Sequence, residues 1–156
     1  MAIAENASID FFGTQDNLDS TSASVADAAF SISTDVVTPW TNDDDAPEAT
    51  FTLSASWATE TNIAGLTVGL YARLLNVVTT SDTGVPSADN QRHLLGVFQV
   101  PAENASDPYY MTTRAPLPNY KTSSEYEFYI QNNTGQTISA GWILYVTPIT
   151  IGPHPA

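Results

Sequence analysis

The sequence predicts an all-β fold: a single β-sandwich, jelly-roll-like or alternatively immunoglobulin-like, with an extended N-terminal arm. Three observations predict it. Apolar and polar residues alternate with a period of two in several runs, as they do when successive side chains point to opposite faces of a strand. Clusters of Gly, Pro, Asn and Asp separate those runs. Helical periodicity is almost absent from the 156 residues, of which 42% are hydrophobic. About seven or eight short strands in one chain of this length make two packed sheets around one core. The expected organisation is an arm over residues 1–26, a sandwich domain over 27–148 and a tail over 149–156, with no internal repeat.

The arm is small, polar and acidic, a composition that favours an extended chain. Ile9-Asp10-Phe11-Phe12-Gly13 interrupts it with an apolar plug. Ile9, Phe11 and Phe12 have two readings: a strand folded back on its own domain, or a clip that docks on a neighbouring subunit. A first core strand is expected over 29–37, with Phe30, Ile32 and Val36 facing one way. Pro39 ends it, because proline has no N–H to give to a ladder. The following loop carries Asp43, Asp44 and Asp45 side by side.

Residues 50–57 alternate without a fault, with Phe51, Leu53, Ala55 and Trp57 inward and Thr52, Ser54 and Ser56 outward. Residues 66–78 form a long strand with Leu66, Val68, Leu70, Ala72 and Leu74 on one side. Thr67, Tyr71, Arg73 and Leu75 lie on the other; β-branched flanks favour strand over helix there. A polar loop over 79–91 leads to a strand over 93–100, closed by Pro101. A short strand over 109–113 follows, punctuated by Pro116 and Pro118.

Residues 124–147 carry the strongest pattern. Tyr126, Phe128 and Ile130 alternate with Glu125, Glu127 and Gln131; Trp142, Leu144 and Val146 alternate with Ile143, Tyr145 and Thr147. Asn133 and Gly135 tolerate positive φ between the two arms, so the stretch reads as a β-hairpin. After it, Gly152, Pro153 and Pro155 take the chain out of the sheet. The expected core is Phe51, Leu53, Trp57, Leu70, Phe98, Phe128, Ile130, Trp142 and Leu144. Leu75, Val97, Ile143 and Tyr145 make part of the outer sheet surface apolar, which points to a covering subunit.

Four Lys and Arg against seventeen Asp and Glu give a net charge of −13. Arg73, Arg92, Arg114 and Lys121 are scattered, so no basic patch forms for direct contact with nucleic acid or anionic lipid. The chain has no cysteine, which excludes disulfides, thiolate metal sites and cysteine nucleophiles. Its first residues lack the basic-then-apolar pattern of an export signal, and no apolar run approaches the roughly 20 residues of a membrane span. The patterns at Asn6, Asn104 and Asn132 match glycosylation acceptors, read here as products of a Ser/Thr-rich composition.

Chemistry-bearing patterns are sparse. His93, next to Arg92, opens a strand and reads as a strand-edge residue; His154 lies in the Pro-rich tail and reads as solvated. Nucleophile elbows, phosphate loops and zinc-protease motifs are missing. Glu125 and Glu127 share one face of one strand, which reads as a solvated face and not as two carboxylates across a cleft. Three consecutive Asp residues at 43–45 lack the alternating spacing of a calcium loop and read as an acidic loop. Trp40, Tyr109, Tyr110 and Tyr120, in or near loops, are candidates for a sugar-binding platform. The expectation is no catalytic residue, no metal and no cofactor.

The wording Phe128-Tyr-Ile-Gln-Asn-Asn-Thr-Gly135 followed by Ala140-Gly-Trp-Ile-Leu-Tyr-Val-Thr-Pro148 resembles small virion proteins of tailed bacteriophages, most of all head decoration, or cement, proteins. The resemblance covers the last third of the chain and its general acidic, cysteine-free, β-rich character. It implies a non-enzymatic protein on the capsid exterior, made in the host cytoplasm. Its partners would be the major capsid protein and itself, as a trimer. The N-terminal residues Ile9, Phe11 and Phe12 are the expected subunit contact. The alternative is a carbohydrate- or receptor-binding sandwich module.

Overall fold

The structure is a computed structural model that describes residues 8–19, 22–31, 39–75, 83–89, 94–101, 107–118 and 124–153. Its strands are β1 (Ser8–Phe12), β2 (Asp16–Asp19), β3 (Trp40–Thr41), β4 (Glu48–Ala55), β5 (Thr67–Leu75), β6 (Leu94–Gln99), β7 (Tyr109–Pro116), β8 (Glu125–Asn133) and β9 (Ile143–Pro153). There is no helix among the described residues. One sheet has the order β1-β9-β4-β7, with β2 pairing on the same edge of β9 as β1; the other has the order β3-β8-β5-β6. With β1 and β2 taken as one broken strand, these are the two four-stranded sheets of a jelly roll. The fold is the expected β-sandwich, and its strand order selects the jelly roll over the immunoglobulin-like alternative.

Every strand pair is antiparallel. The period-two alternation therefore decides which side chains meet between the sheets. Phe51 and Leu53 from β4, Leu144 and Val146 from β9, Val68, Leu70 and Leu74 from β5 and Phe128 and Ile130 from β8 converge there. All nine expected core residues lie in this one buried cluster. Phe51 meets Phe128 edge to face at 5.0 Å between the sheets, and Trp57, just past β4, meets Tyr109 of β7 at 5.5 Å. On the far side β6 lies against β7, where a Cβ on Gly96 would come 3.0 Å from Thr113 Oγ1.

Three expectations are corrected. The stretch 124–147 is not a hairpin: β8 and β9 belong to opposite sheets, and residues 134–142 arch between them. Each strand has one mostly apolar face, and facing each other across the core buries both. Gly135 and Gly141 have φ of 68° and 86°, so the arch turns at both ends. Asn133 is the last residue of β8 and has no positive φ. Second, the tail expected from residue 149 is strand as far as Pro153, because β9 continues alongside β1. Third, residues 16–19 of the expected arm form β2 on β9 and Leu18 joins the core, while the plug at Ile9, Phe11 and Phe12 follows its strand reading as β1. Of the strand expected over 29–37, Phe30 bridges Gln131 on the edge of β8, while 32–38 lie outside the described residues.

A second, smaller cluster covers the outer face of the β5–β8 pair. Tyr71 and Tyr129 are directly opposite each other and both buried, apart from the main core. Phe30 packs edge-on against Tyr71 at 5.0 Å. Arg73 donates to the Thr83 carbonyl at 2.9 Å and to Glu127 at 2.9 Å, and Tyr129 donates to the same Glu127 carboxylate at 2.7 Å. The expected solvated face at Glu125 and Glu127 is therefore partly covered and ion-paired.

Burial raises the Tyr129 phenol far above its ordinary value, and the bond to Glu127 raises it further. Burial also raises Tyr71, and raises Tyr126 against hydrogen bonds to Ser124 and Asn42. Folding favours the neutral phenol at all three, so their contribution is complete below the unfolded value of about 10 and is lost as pH rises through the higher folded values. A pH series of melting temperature should show a loss that begins above about pH 10, with tyrosinate absorbance rising together with unfolding. Smooth titration of every tyrosine in the folded state would contradict this.

Candidate interaction surface

Among the described residues, the β1–β9 ribbon exposes Phe11, Phe12 and Ile151 in an ordered array, while β6 exposes Leu94 and Val97. Glu48, at the start of β4, pairs with Ile149, so β9 runs on beyond β4 for Thr150–Pro153 with β1 as its partner. Antiparallel partners share a face. Phe12, Ile149 and Glu48 form one row on the outward face, and Asp10 and Ile151 form the next. Phe11 and Ile9 lie on the opposite face, beside Thr150 and Gly152. Phe12 is 65% exposed, Ile151 50% and Phe11 43%, while Ile9 is half-buried.

A three-stranded clamp fixes this ribbon. Arg114 of β7 donates from Nε to Glu48 of β4 at 2.5 Å and from Nη1 to Asp10 of β1 at 2.6 Å. Its side chain must cross β9 to do so. It passes over the row at Ile149, which is fully buried although it faces away from the core. Both carboxylate bonds raise the guanidinium's pKa. Just past β1, the Gly13 N–H donates to the Pro148 carbonyl at 2.9 Å. A Cβ at Gly13 would come 2.8 Å from Pro148 Cγ, so the chain passes too close there for a larger residue.

The other candidates separate in space. Trp40 is buried, pairs with Tyr126 and donates its indole N–H to Asp16 at 3.0 Å. Tyr109 is buried against Trp57 and donates to Glu60. Tyr110 is 67% exposed, and Tyr120 lies outside the described residues. The expected sugar platform is thus not assembled by Trp40, Tyr109 and Tyr110. Both histidines also lie outside the described residues.

Asp43, Asp44 and Asp45 are exposed on the loop after β3, where Asp45 has φ of 49°. Asn42 holds that loop, its amide donating to the Ala46 carbonyl and accepting from the Ala46 N–H. A cleft of about 350 Å³ lies between this loop, β2 and Trp40. No group of three His, Cys, Asp or Glu side chains is arranged to hold a metal among the described residues. No helix among them is long and apolar enough to cross a membrane.

Sequence reasoning found Ile9, Phe11 and Phe12 but missed Ile151 and Arg114. Ile149 and Ile151 do alternate with Thr150 and Gly152, a strand signal hidden by Pro148 and Pro153. The Arg114 clamp has no local signal, since its partners are 66 and 104 residues away. Fold and surface define a two-sheet jelly roll that carries an apolar ribbon at one edge. No protein-family model, no curated protein and no solved structure matches the chain.

Proposed function

We propose that the protein is a non-enzymatic structural component of a phage virion, decorating the capsid exterior and stabilising it by bridging major capsid subunits. The observation that carries this reading is the β1–β9 ribbon, where Phe11, Phe12 and Ile151 remain exposed on a regular, clamped pair of strands. Jelly rolls serve viral capsid and lectin domains alike, so the fold is compatible with this role without deciding it.

Three large side chains, fully buried in a partner, would contribute on the order of 4–8 kcal/mol gross. A flexible arm would lose much of that to ordering, at about 1–2 kcal/mol per residue. Here β9 and Arg114 already hold β1, which lowers that cost. Trimerisation would multiply such contacts through effective concentration. The charge of −13 favours an outward position, because the interior of a filled head is packed with anionic DNA.

The test is occupancy on capsids that lack the protein. The double variant Phe12→Ser, Ile151→Ser should keep the wild-type melting temperature and lose most of its capsid binding, with the heat resistance of the capsids falling in parallel. Full occupancy by the variant would overturn the ribbon as the contact. Glycan binding by the isolated protein, with no affinity for capsids, would replace the whole reading by the carbohydrate-module alternative.

A further inference from the structure

Sheet edges are open templates for another strand, and proteins blunt them with prolines, bulges, basic residues, short strands or covering elements. The edges of this sandwich are unequal. β3 has two residues. The pairing of β2 with β9 is broken by a bulge between Asn17 and Asp19, and that of β6 with β5 by one between Leu70 and Tyr71. β7 carries Arg114, ends at Pro116 and lies against β6.

β1 is different. Among the described residues it is terminal in its sheet; it pairs in unbroken register over five residues and contains neither proline nor a basic residue. Its one charge, Asp10, is drawn into the ion pair with Arg114. Large apolar side chains stand exposed on both of its faces, Phe12 on one and Phe11 on the other.

We propose that β1 is a strand acceptor, and that the segment it takes from the partner alternates or mixes apolar and basic side chains. This rests on the assembly role proposed above and specifies its chemistry. Main-chain hydrogen bonds along β1 would supply affinity, and pockets beside alternate side chains would supply selectivity. On the outward face the added strand lies beside Phe12 and Asp10; on the other it lies beside Phe11 and Ile9. Residues 8–19 and 149–153 hold no Lys or Arg; Asp16 and Asp44 line the cleft just past β1, while Asp10 and Glu48 share Arg114. A second copy of this chain would bring the same acids and a further charge of −13, so charge complementarity selects a basic partner over self-pairing.

The test uses the full chain and three labelled peptides, alternating Lys with Leu, Lys with Ser and Glu with Leu. The Lys–Leu peptide should bind at least about tenfold more tightly than Lys–Ser, the factor that burying one large apolar side chain supplies. Glu–Leu should not bind. Lys–Leu binding should slow amide exchange in residues 8–12 and leave β7 unchanged. The Phe12→Ser, Ile151→Ser variant should bind Lys–Leu no better than Lys–Ser.

Equal binding of the two Lys peptides, or unchanged exchange in residues 8–12, would overturn the proposal. So would a self-associated state in sedimentation that this variant abolishes, which would make a second copy the occupant. Capsids are absent from the assay, so failure of strand acceptance is distinguished from failure of the capsid reading, which occupancy alone decides.

Discussion

Phe51→Ala should remove about 3–5 kcal/mol of folding stability. Phe51 is fully buried on β4, which is flanked by β9 and β7 and so cannot move toward the other sheet without breaking two ladders. Its ring meets Phe128 edge-on. Phe128 in turn stacks near Tyr126 at 5.8 Å and touches Trp40 at 6.0 Å. Truncation leaves a cavity bounded by rigid aromatic faces that fill space poorly when they shift. Against a total stability of about 5–15 kcal/mol, the variant should unfold at a much lower urea concentration with the slope unchanged. A loss below about 1 kcal/mol would show that the two sheets close the gap.

Asn132→Ala should cost about 2–4 kcal/mol, more than its single lost side chain suggests. Asn132 is fully buried at the end of β8. Its amide donates to the Val25 carbonyl at 2.9 Å and the Gln136 carbonyl at 2.7 Å. Its Oδ1 accepts from the Thr134 N–H and lies 2.7 Å from the Thr134 hydroxyl, which itself accepts from the Trp57 indole at 2.8 Å. Asn132 thus ties the arch to the 22–31 segment and, through Thr134, to Trp57 just past β4. Removing it orphans the buried Thr134 N–H, at about 1–3 kcal/mol for an unsatisfied group, and takes one of two donors from the Val25 and Gln136 carbonyls, which keep the Ile138 N–H and the Thr134 hydroxyl. Equilibrium urea unfolding measures the effect; a change within about 0.5 kcal/mol, typical of surface positions, would mean that the network is dispensable. The same burial removes Asn132 as a glycosylation acceptor, despite its Asn-x-Thr pattern.

Much of the candidate surface was legible and part was not. The apolar plug at Ile9, Phe11 and Phe12 stood out against a polar background, and it did so under both of its readings. The structure shows those residues paired with their own domain and Phe11 and Phe12 still exposed. Ile151 was hidden because proline and glycine normally end strands, whereas here β9 continues with β1 as its partner. Trp40 looked available in a loop and is buried, because β3 brings it under the edge of β8.

For the central strands β4, β5 and β8, the sequence by itself determined which residues are strand and which side is apolar. Period-two alternation is a local property, and burial follows it at Phe51, Leu53, Leu70, Phe128, Ile130 and Leu144 without exception. Only the tertiary structure decided which strands are neighbours. Two apolar-faced strands joined by a turn can lie side by side or face each other, and both arrangements satisfy the same alternation. β8 and β9 face each other because the β4–β9 and β5–β8 ladders each fill the edges that a hairpin would have used, and the core between them takes both apolar faces. That choice sends β9 past the end of β4 to pair with β1. The exposed ribbon is a consequence of strand order, which no stretch of the chain encodes alone.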